Sequence, residues 1–229
     1  MIYFTVISYK YFEQAKILVN TFREYNQEPF IVFVIDNERY SELQIENTKV
    51  IYYPEKFTSL QNSILEKSIN NLEYAKINVW KLACADYLGN TPKCFIDADS
   101  FVQKHIPEFE TSHEIAGTIE YKDYINAGFV YINKFNLFED FFNKLIGKYL
   151  EQDYYNTLDK EILPREFCIC GTNAIIYSLL KKDYFSVVHM QNSVLFNHPG
   201  AYIRKYLPNY IELANKYKCY NLLKRMESL

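Results

Sequence analysis

Two carboxylates one residue apart, Asp97 and Asp99, close the apolar run Cys94-Phe95-Ile96, with only the small Ala98 between them. In an extended chain residues i and i+2 share a side, so both carboxylates would face one point at the end of a strand. Oxygen ligands placed in this way suit a hard divalent cation, which ordinarily also takes phosphate oxygens from a substrate. Two solvated turn aspartates that cap the next segment fit the same residues. Further on, Asn126-Ala127-Gly128 heads an alternating apolar run that ends at Ile132. The Asn126 amide can both donate and accept, as recognition of a hydroxyl-rich ligand requires, and glycine permits close backbone approach. A plain turn before a strand is an equally good reading. Near the end, Asn197-His198-Pro199-Gly200 sets an imidazole in a constrained loop, either as a metal ligand or as an ordinary solvated histidine.

The elements that must position these groups follow from hydrophobic periodicity. Residues 2–7 are apolar and β-branched and predict a first strand, while Tyr11, Ala15, Leu18, Val19 and Phe22 mark one stripe of a helix over 11–25. The continuous apolar runs at 30–35, which end in Asp36, and at 50–53 suit strands buried on both faces. This β-α-β-α-β alternation predicts an α/β fold built on an open, mostly parallel sheet, whose ligands bind beyond the carboxyl ends of the strands. The stretch 57–88 is expected to be helical and to stop at Gly89-Asn90-Thr91-Pro92, just before the strand that delivers Asp97. Strands are expected near 115–120 and 128–132, then a helix over 135–150, a Tyr-rich loop to Pro164, a helix near 173–182 and short strand-like runs near 184–189 and 194–196. No composition shift or internal repeat divides the chain.

Composition narrows the function classes. A chain of 229 residues, 49% hydrophobic with 6 Gly and 7 Pro, is neither disordered, collagenous nor repetitive and is long enough for its own core. Its 25 Lys+Arg against 28 Asp+Glu give a net charge of −3, which offers no general attraction for nucleic acid, so none is expected as a partner. The first residues lack the basic start of a signal peptide, and no run approaches the roughly 18 apolar residues needed to cross a bilayer. Five cysteines, at 84, 94, 168, 170 and 219, argue against a disulfide scaffold and for a reducing, cytoplasmic setting. Cys168-Ile169-Cys170 has no second ligand pair around it and reads as small apolar side chains, not as a zinc site.

Taken in order, strand-D-x-D, then N-A-G entering a strand, then H-x-G followed by Lys/Arg and aromatics, the chain resembles the metal-dependent nucleotide-sugar glycosyltransferases with the GT-A fold. It is most similar to family 8, over most of residues 2–206. The resemblance implies a Rossmann-like, mixed but mostly parallel sheet with flanking helices in a domain of 1–206, followed by a basic, aromatic helical tail over 207–229. It implies transfer of a hexose from a UDP-sugar to a saccharide or lipid-linked acceptor, with retention at the anomeric carbon. Asp97, Asp99 and His198 would correspond to the metal ligands, with His189 as the rival imidazole, and Asn126 and Asn173 to groups that position the sugar. Thr5, Ser8 and Tyr11 would meet the base, Tyr11 by stacking on uracil; Lys81, Gly200, Arg204 and Lys205 would serve the phosphates.

The chain departs from the family pattern in three places. His198 and Gly200 are one residue closer than in H-x-x-G, Tyr202-Ile203-Arg204-Lys205-Tyr206 replaces a Lys-Pro-Trp ending, and Gly171-Thr172-Asn173 stands where relatives carry an acidic or Gln group. Glu120 and Asp123 are candidates for a second carboxylate.

In the reaction so implied, a bound divalent ion stabilises the charge that develops on the leaving diphosphate. Two carboxylates and one imidazole suit Mn²⁺ at least as well as Mg²⁺, so Mn²⁺ is expected, with Mg²⁺ second. Closure of the C-terminal segment over the donor would exclude water.

The last 28 residues hold six basic side chains (Arg204, Lys205, Lys216, Lys218, Lys224, Arg225) against Glu212 and Glu227, which makes them net +4 and the remainder −7. With Tyr206, Tyr210, Tyr217 and Tyr220 among these cations, the tail fits peripheral contact with an anionic membrane that presents a glycolipid acceptor. A packed terminal helix with a solvated face fits equally.

Three rival readings compete with transfer. Haloacid-dehalogenase-type phosphatases also end a strand in D-x-D, but near the N-terminus and with a later acidic pair. Nucleotidyltransferases usually place a Gly-rich loop after the first strand, where this chain has Ser8-Tyr9-Lys10-Tyr11. A non-catalytic nucleotide- or glycan-binding domain would tolerate the departures at 171–173 and 198–206.

Overall fold

A computed structural model describes residues 1–38, 40, 44–68, 72–106, 115–121, 124–149, 187–189 and 201–227. At 67–68, 72–75, 78, 115–121, 124–127, 144–149, 187–189, 201–206 and 227 it describes the backbone alone. Strand β1 (Ile2–Ile7) lies between two parallel neighbours, β2 (Phe30–Val34) and β4 (Lys93–Ile96), and β2 pairs in parallel with β3 (Lys49–Tyr52). β7 (Tyr124–Ile132) runs antiparallel to β4 and to β6 (Ile115–Tyr121), which completes a six-stranded sheet in the order β3-β2-β1-β4-β7-β6. A separate antiparallel pair joins β5 (Ser100–Val102) to β8 (Val187–His189).

Both faces of β1 are covered, as its unbroken apolar run requires. Tyr3 and Ile7 pack with Ala15, Leu18, Val19 and Phe22 of α1 (Phe12–Tyr25). Phe4 and Val6 pack on the other face with Val79, Trp80, Leu82 and Ala83 of α3 (Leu72–Tyr87). The expected helical stretch 57–88 is covered by α2 (Ser59–Ser68) and α3. Gly89, at φ +70°, ends α3 as a left-handed cap for which glycine pays no Cβ penalty. The buried Lys93 ammonium donates to the Ala85 carbonyl at 3.0 Å and also to that of Gly89, so a cation sits on the negative end of the helix.

Two expectations change. The second crossover, between β2 and β3, has no α-helix among its described residues, which show the early pattern β-α-β-β. The strand expected at 128–132 begins at Tyr124, because Ile125 and Asn126 pair with Ile119 and Thr118 of β6. Asn126-Ala127-Gly128 therefore lies within the strand, not in a turn before it.

Three contacts tie the layers together. Trp80 Nε1 donates to the Tyr53 carbonyl at 3.0 Å. Its ring lies among those of Tyr53, Phe57 and Phe138, with centroids 5.2 to 5.3 Å away. The Asp86 carboxylate accepts the N–H groups of Leu137 and Phe138, each at 2.9 Å, capping α4 (Leu137–Tyr149) from another element.

The C-terminal helices α5 (Ala201–Lys216) and α6 (Tyr220–Glu227) pack on α1. α5 runs across the expected boundary at 206/207. Tyr210, Ala214, Cys219 and Leu222 form a core cluster with Ile17 and Phe101. Glu13 receives the N–H groups of Leu222 at 2.5 Å and Asn221 at 3.3 Å, at the start of α6. Glu24 receives the Tyr217 hydroxyl at 2.6 Å and the Lys216 ammonium. The apolar stripe of this segment thus faces protein, while Lys218, Tyr220 and Lys224 are exposed. Among the described residues no helix is long and apolar enough to cross a membrane.

Candidate functional site

Parallel strands end on one side of a sheet, so the residues that follow β1, β2, β3 and β4 share one rim. Ser8, Asp36, Tyr53 and Asp97 stand there. Asp36 Oδ1 accepts the Tyr9 N–H at 2.7 Å and so fixes the one-turn 3-10 helix Tyr9–Tyr11. Tyr11 is half-buried at its end, packed against the α1-side core, with the Lys10 ammonium 5.2 Å from its ring centroid.

Asp97 is anchored through its backbone on both sides. Its N–H donates to the Gly128 carbonyl at 2.9 Å, and its carbonyl accepts the Ser100 N–H at 3.1 Å. The first bond brings the N-A-G segment alongside the D-x-D. The second closes a turn that holds Asp99 almost buried, at 9% exposure. Lys81, buried on α3, donates to Asp97 Oδ1 at 2.8 Å and lies 4.4 Å from the centroid of the Phe95 ring.

Backbone register adds one more group. Ser100 of β5 is paired directly with His189 of β8, so the backbone of His189 runs one residue from Asp99. Asn173, His198 and Gly200 lie outside the described residues, as does Asp123. Arg204 and Lys205 stand in the first turns of α5 and Asn126 in β7, all with backbone alone described, as is Glu120 in β6.

Thr5 is fully buried on the α1 side of β1, and Ser8 is 6% exposed. The hydroxyls of both have no hydrogen-bond partner among the described residues. Such buried orphans are uncommon in folded proteins. At Ser8, beside the rim, the orphan is what a hydroxyl awaiting a ligand or water would be. Thr5 sits three residues deeper in the strand, out of solvent reach.

The donor set suits a hard cation. Two carboxylates flank one turn, and the Lys81 ammonium donates to one of the Asp97 oxygens; oxygen donors of this kind are those that hard cations take. Among the described residues no three His, Cys, Asp or Glu side chains gather; a cation held by Asp97 and Asp99 would need its other ligands from a substrate or from another residue. The charge balance is equally informative. Asp97, Asp99 and Lys81 sum to −1, so a diphosphate brought against them is repelled unless a cation accompanies it. Burial pushes the thiols of Cys84 and Cys94 upward, which keeps them protonated and poorly nucleophilic.

Asp36 stands on the same rim, although its type and spacing did not single it out. The signal was its place as the first acidic residue after a buried strand. Buried orphan groups at Gln14, Ser100 and Tyr210 were not legible, since they come from segments as far apart as α1 and α5.

No family model matches the chain, and no curated protein matches it. Solved structures do. A crystal structure of an active-site mutant of LgtC aligns with a TM-score of 0.61 and 12% identity, over 94% of this chain and 96% of that one. The galactosyltransferase LgtC in complex with donor and acceptor sugar analogues aligns with a TM-score of 0.52 and 13% identity, over 72% of this chain and 70% of that one. At such identities the likeness concerns the fold, and the fold is GT-A: a mixed, mostly parallel sheet with flanking helices.

Proposed function

We propose that the protein is a glycosyltransferase that moves a hexose from a UDP-sugar to a saccharide or lipid-linked acceptor, with retention at the anomeric carbon. Asp97 and Asp99 would hold a divalent cation, Mn²⁺ before Mg²⁺, against the donor diphosphate. The observation that carries this reading is the Asp97–Ser100 turn on the sheet's carboxyl rim, with Lys81 on Asp97 and Gly128 beside it. That the same fold serves a galactosyltransferase solved with donor and acceptor sugar analogues supports it. The third protein ligand would be an imidazole, His198 or His189, and the Ser100–His189 pairing favours His189.

When bound, the cation would withdraw charge from the departing diphosphate. This chain's own groups do the rest. Lys81 orients Asp97 and supplies a second positive charge toward the phosphates, with Arg204 and Lys205 as further cations. Tyr11, steadied by the Asp36 hydrogen bond to its turn, offers a ring face to the base. Asn126 and Asn173 would orient sugar hydroxyls through amide groups that both donate and accept. Membrane contact in a cytoplasmic setting would fall to the exposed Lys218, Tyr220 and Lys224, because the apolar side of the tail is already packed.

A second reading, a binding domain without turnover, is favoured by one fact: the Lys81 ammonium already neutralises part of Asp97. Incubation with UDP-galactose or UDP-glucose and Mn²⁺ separates the two. Metal-dependent release of UDP supports transfer, whereas binding without release supports the domain.

A further inference from the structure

The turn that carries Tyr11 is not fixed by its own side chains. Ser8 precedes the 3-10 turn Tyr9–Tyr11, and Tyr11 stands at the N-cap position of α1, yet among the described residues neither side chain makes a capping hydrogen bond. Tyrosine at that position lacks the short side-chain acceptor that normally settles a helix start. The ties come from elsewhere in the chain. Besides the Asp36 bond to the Tyr9 N–H, the half-buried Arg225 of α6 donates from its guanidinium to the Lys10 carbonyl at 3.3 Å. Glu13, two residues past Tyr11, accepts the Leu222 N–H at 2.5 Å and the Asn221 side-chain amide at 3.1 Å. Its carboxylate therefore serves the N-terminal ends of both α1 and α6, where two helix dipoles favour a negative charge. Asn221 and Arg225 are four residues apart and share one face of α6. That face meets Glu13 at its start and Lys10 in its last turn, so α6 grips the chain on both sides of Tyr11.

We propose that Arg225 is a positioning residue for the donor nucleotide: α6 braces the Tyr9–Tyr11 turn and holds the Tyr11 ring where it meets the base. The inference rests on the base-stacking role given above to Tyr11 and goes beyond it, because it makes the last helix of the chain a part of donor binding. A ring that stacks on a planar ligand binds more weakly if its backbone is loose, since the ligand must then supply the ordering. Asp36 restrains the first residue of the turn and Arg225 the second, while Glu13 fixes the helix that carries Arg225. Arg225 acts on a backbone carbonyl, so its effect on the nucleotide passes through Tyr11.

The test is a double-mutant cycle on the full chain, read by calorimetric titration of UDP in the presence of Mn²⁺. Arg225→Gln is expected to weaken UDP binding about fivefold, and Arg225→Lys, which keeps a cationic donor, to recover most of that loss. On a Tyr11→Leu background Arg225→Gln is expected to have no further effect, as holds when one residue acts through the other. Glu13→Ala gives the same pattern should Arg225→Gln not fold. Losses that add in the double variant overturn the inference, because Arg225 then acts on the nucleotide independently of Tyr11. UDP affinities within twofold of the wild type in both Arg225→Gln and Glu13→Ala overturn it too. Either result leaves the proposed function standing, whereas a wild type that binds no UDP overturns both.

Discussion

The Lys81 ammonium and the Asp97 carboxylate meet at 2.8 Å across the gap between α3 and the end of β4. The lysine side chain is 7% exposed and the aspartate 24%, so solvent reaches the pair from the aspartate side only. A partner inside and an opening outside is the arrangement expected of a carboxylate that must be held in place and still receive a ligand.

Lys81→Met leaves Asp97 without its counter-charge. Removal of one partner from a buried pair costs about 3–5 kcal/mol, and the solvent at Asp97 reduces this to roughly 1–2 kcal/mol. Urea denaturation should show that loss, while UDP release from the donor should fall about a hundredfold. A stable variant with undiminished UDP release would remove Lys81 from the site.

Asp36→Ala removes the acceptor for the Tyr9 N–H and frees the turn that carries Tyr11. The contact is exposed, so stability should change by less than about 1 kcal/mol. The KM for UDP-sugar should rise about tenfold with kcat little altered, since the turn serves binding.

Asp86→Asn weakens the cap on α4 and should cost about 1–2 kcal/mol. Burial raises the Asp86 pKa, against the downward pull of the Phe138 and Leu137 N–H groups. The folded protein therefore holds that proton more tightly than the unfolded chain. The resulting stability is full at low pH and is lost as pH climbs from the unfolded value, about 3.9, through the higher folded one. The stability gap between wild type and Asp86→Asn should narrow as pH rises through that interval, as a series of urea melts would show.

Glu24→Gln tests how the C-terminal helices are held. Burial raises the Glu24 pKa, but hydrogen bonds from Lys216 and Tyr217 outweigh it and leave the value lowered. This stability is present above the unfolded value, about 4.3, and is lost as pH falls through the folded one. The pair is exposed, so the change in global stability should stay under about 1 kcal/mol. Trypsin cleavage at Lys218, in the α5–α6 junction, should nevertheless quicken in the variant and, for the wild type, the protection of 217–222 against hydrogen exchange, taken relative to the intrinsic rate at each pH, should fall at low pH.

What could be read in the sequence was what depends on neighbours along the chain. The runs at 2–7, 30–35, 50–53 and 94–96 are strands because an unbroken apolar stretch fits a strand covered on both faces, and Asp97 and Asp99 were visible because they end such a run. The Lys81–Asp97 pair was not legible as a pair, since the two lie on different elements and Lys81 reads equally well as a surface charge. β5 was missed for the same reason: three residues form a strand only because 187–189 run beside them. Asn126-Ala127-Gly128 read equally well as the head of a strand or as a turn before one, because its pairing with β6 depends on a register shift after Gly117 that no local pattern announces. The tail's cations fitted either a membrane surface or a packed helix with a solvated face, and its apolar positions are spent on Ile17 and Phe101 of the same chain.

The most direct test is a thermal-shift comparison of UDP-, GDP- and CMP-sugars with and without Mn²⁺, for the wild type and Asp99→Ala. The expected result is stabilisation by UDP compounds that requires the metal and vanishes in Asp99→Ala. A shift that is indifferent to metal, or no shift with any nucleotide, would contradict the assignment of Asp97 and Asp99 to a cation beside a diphosphate.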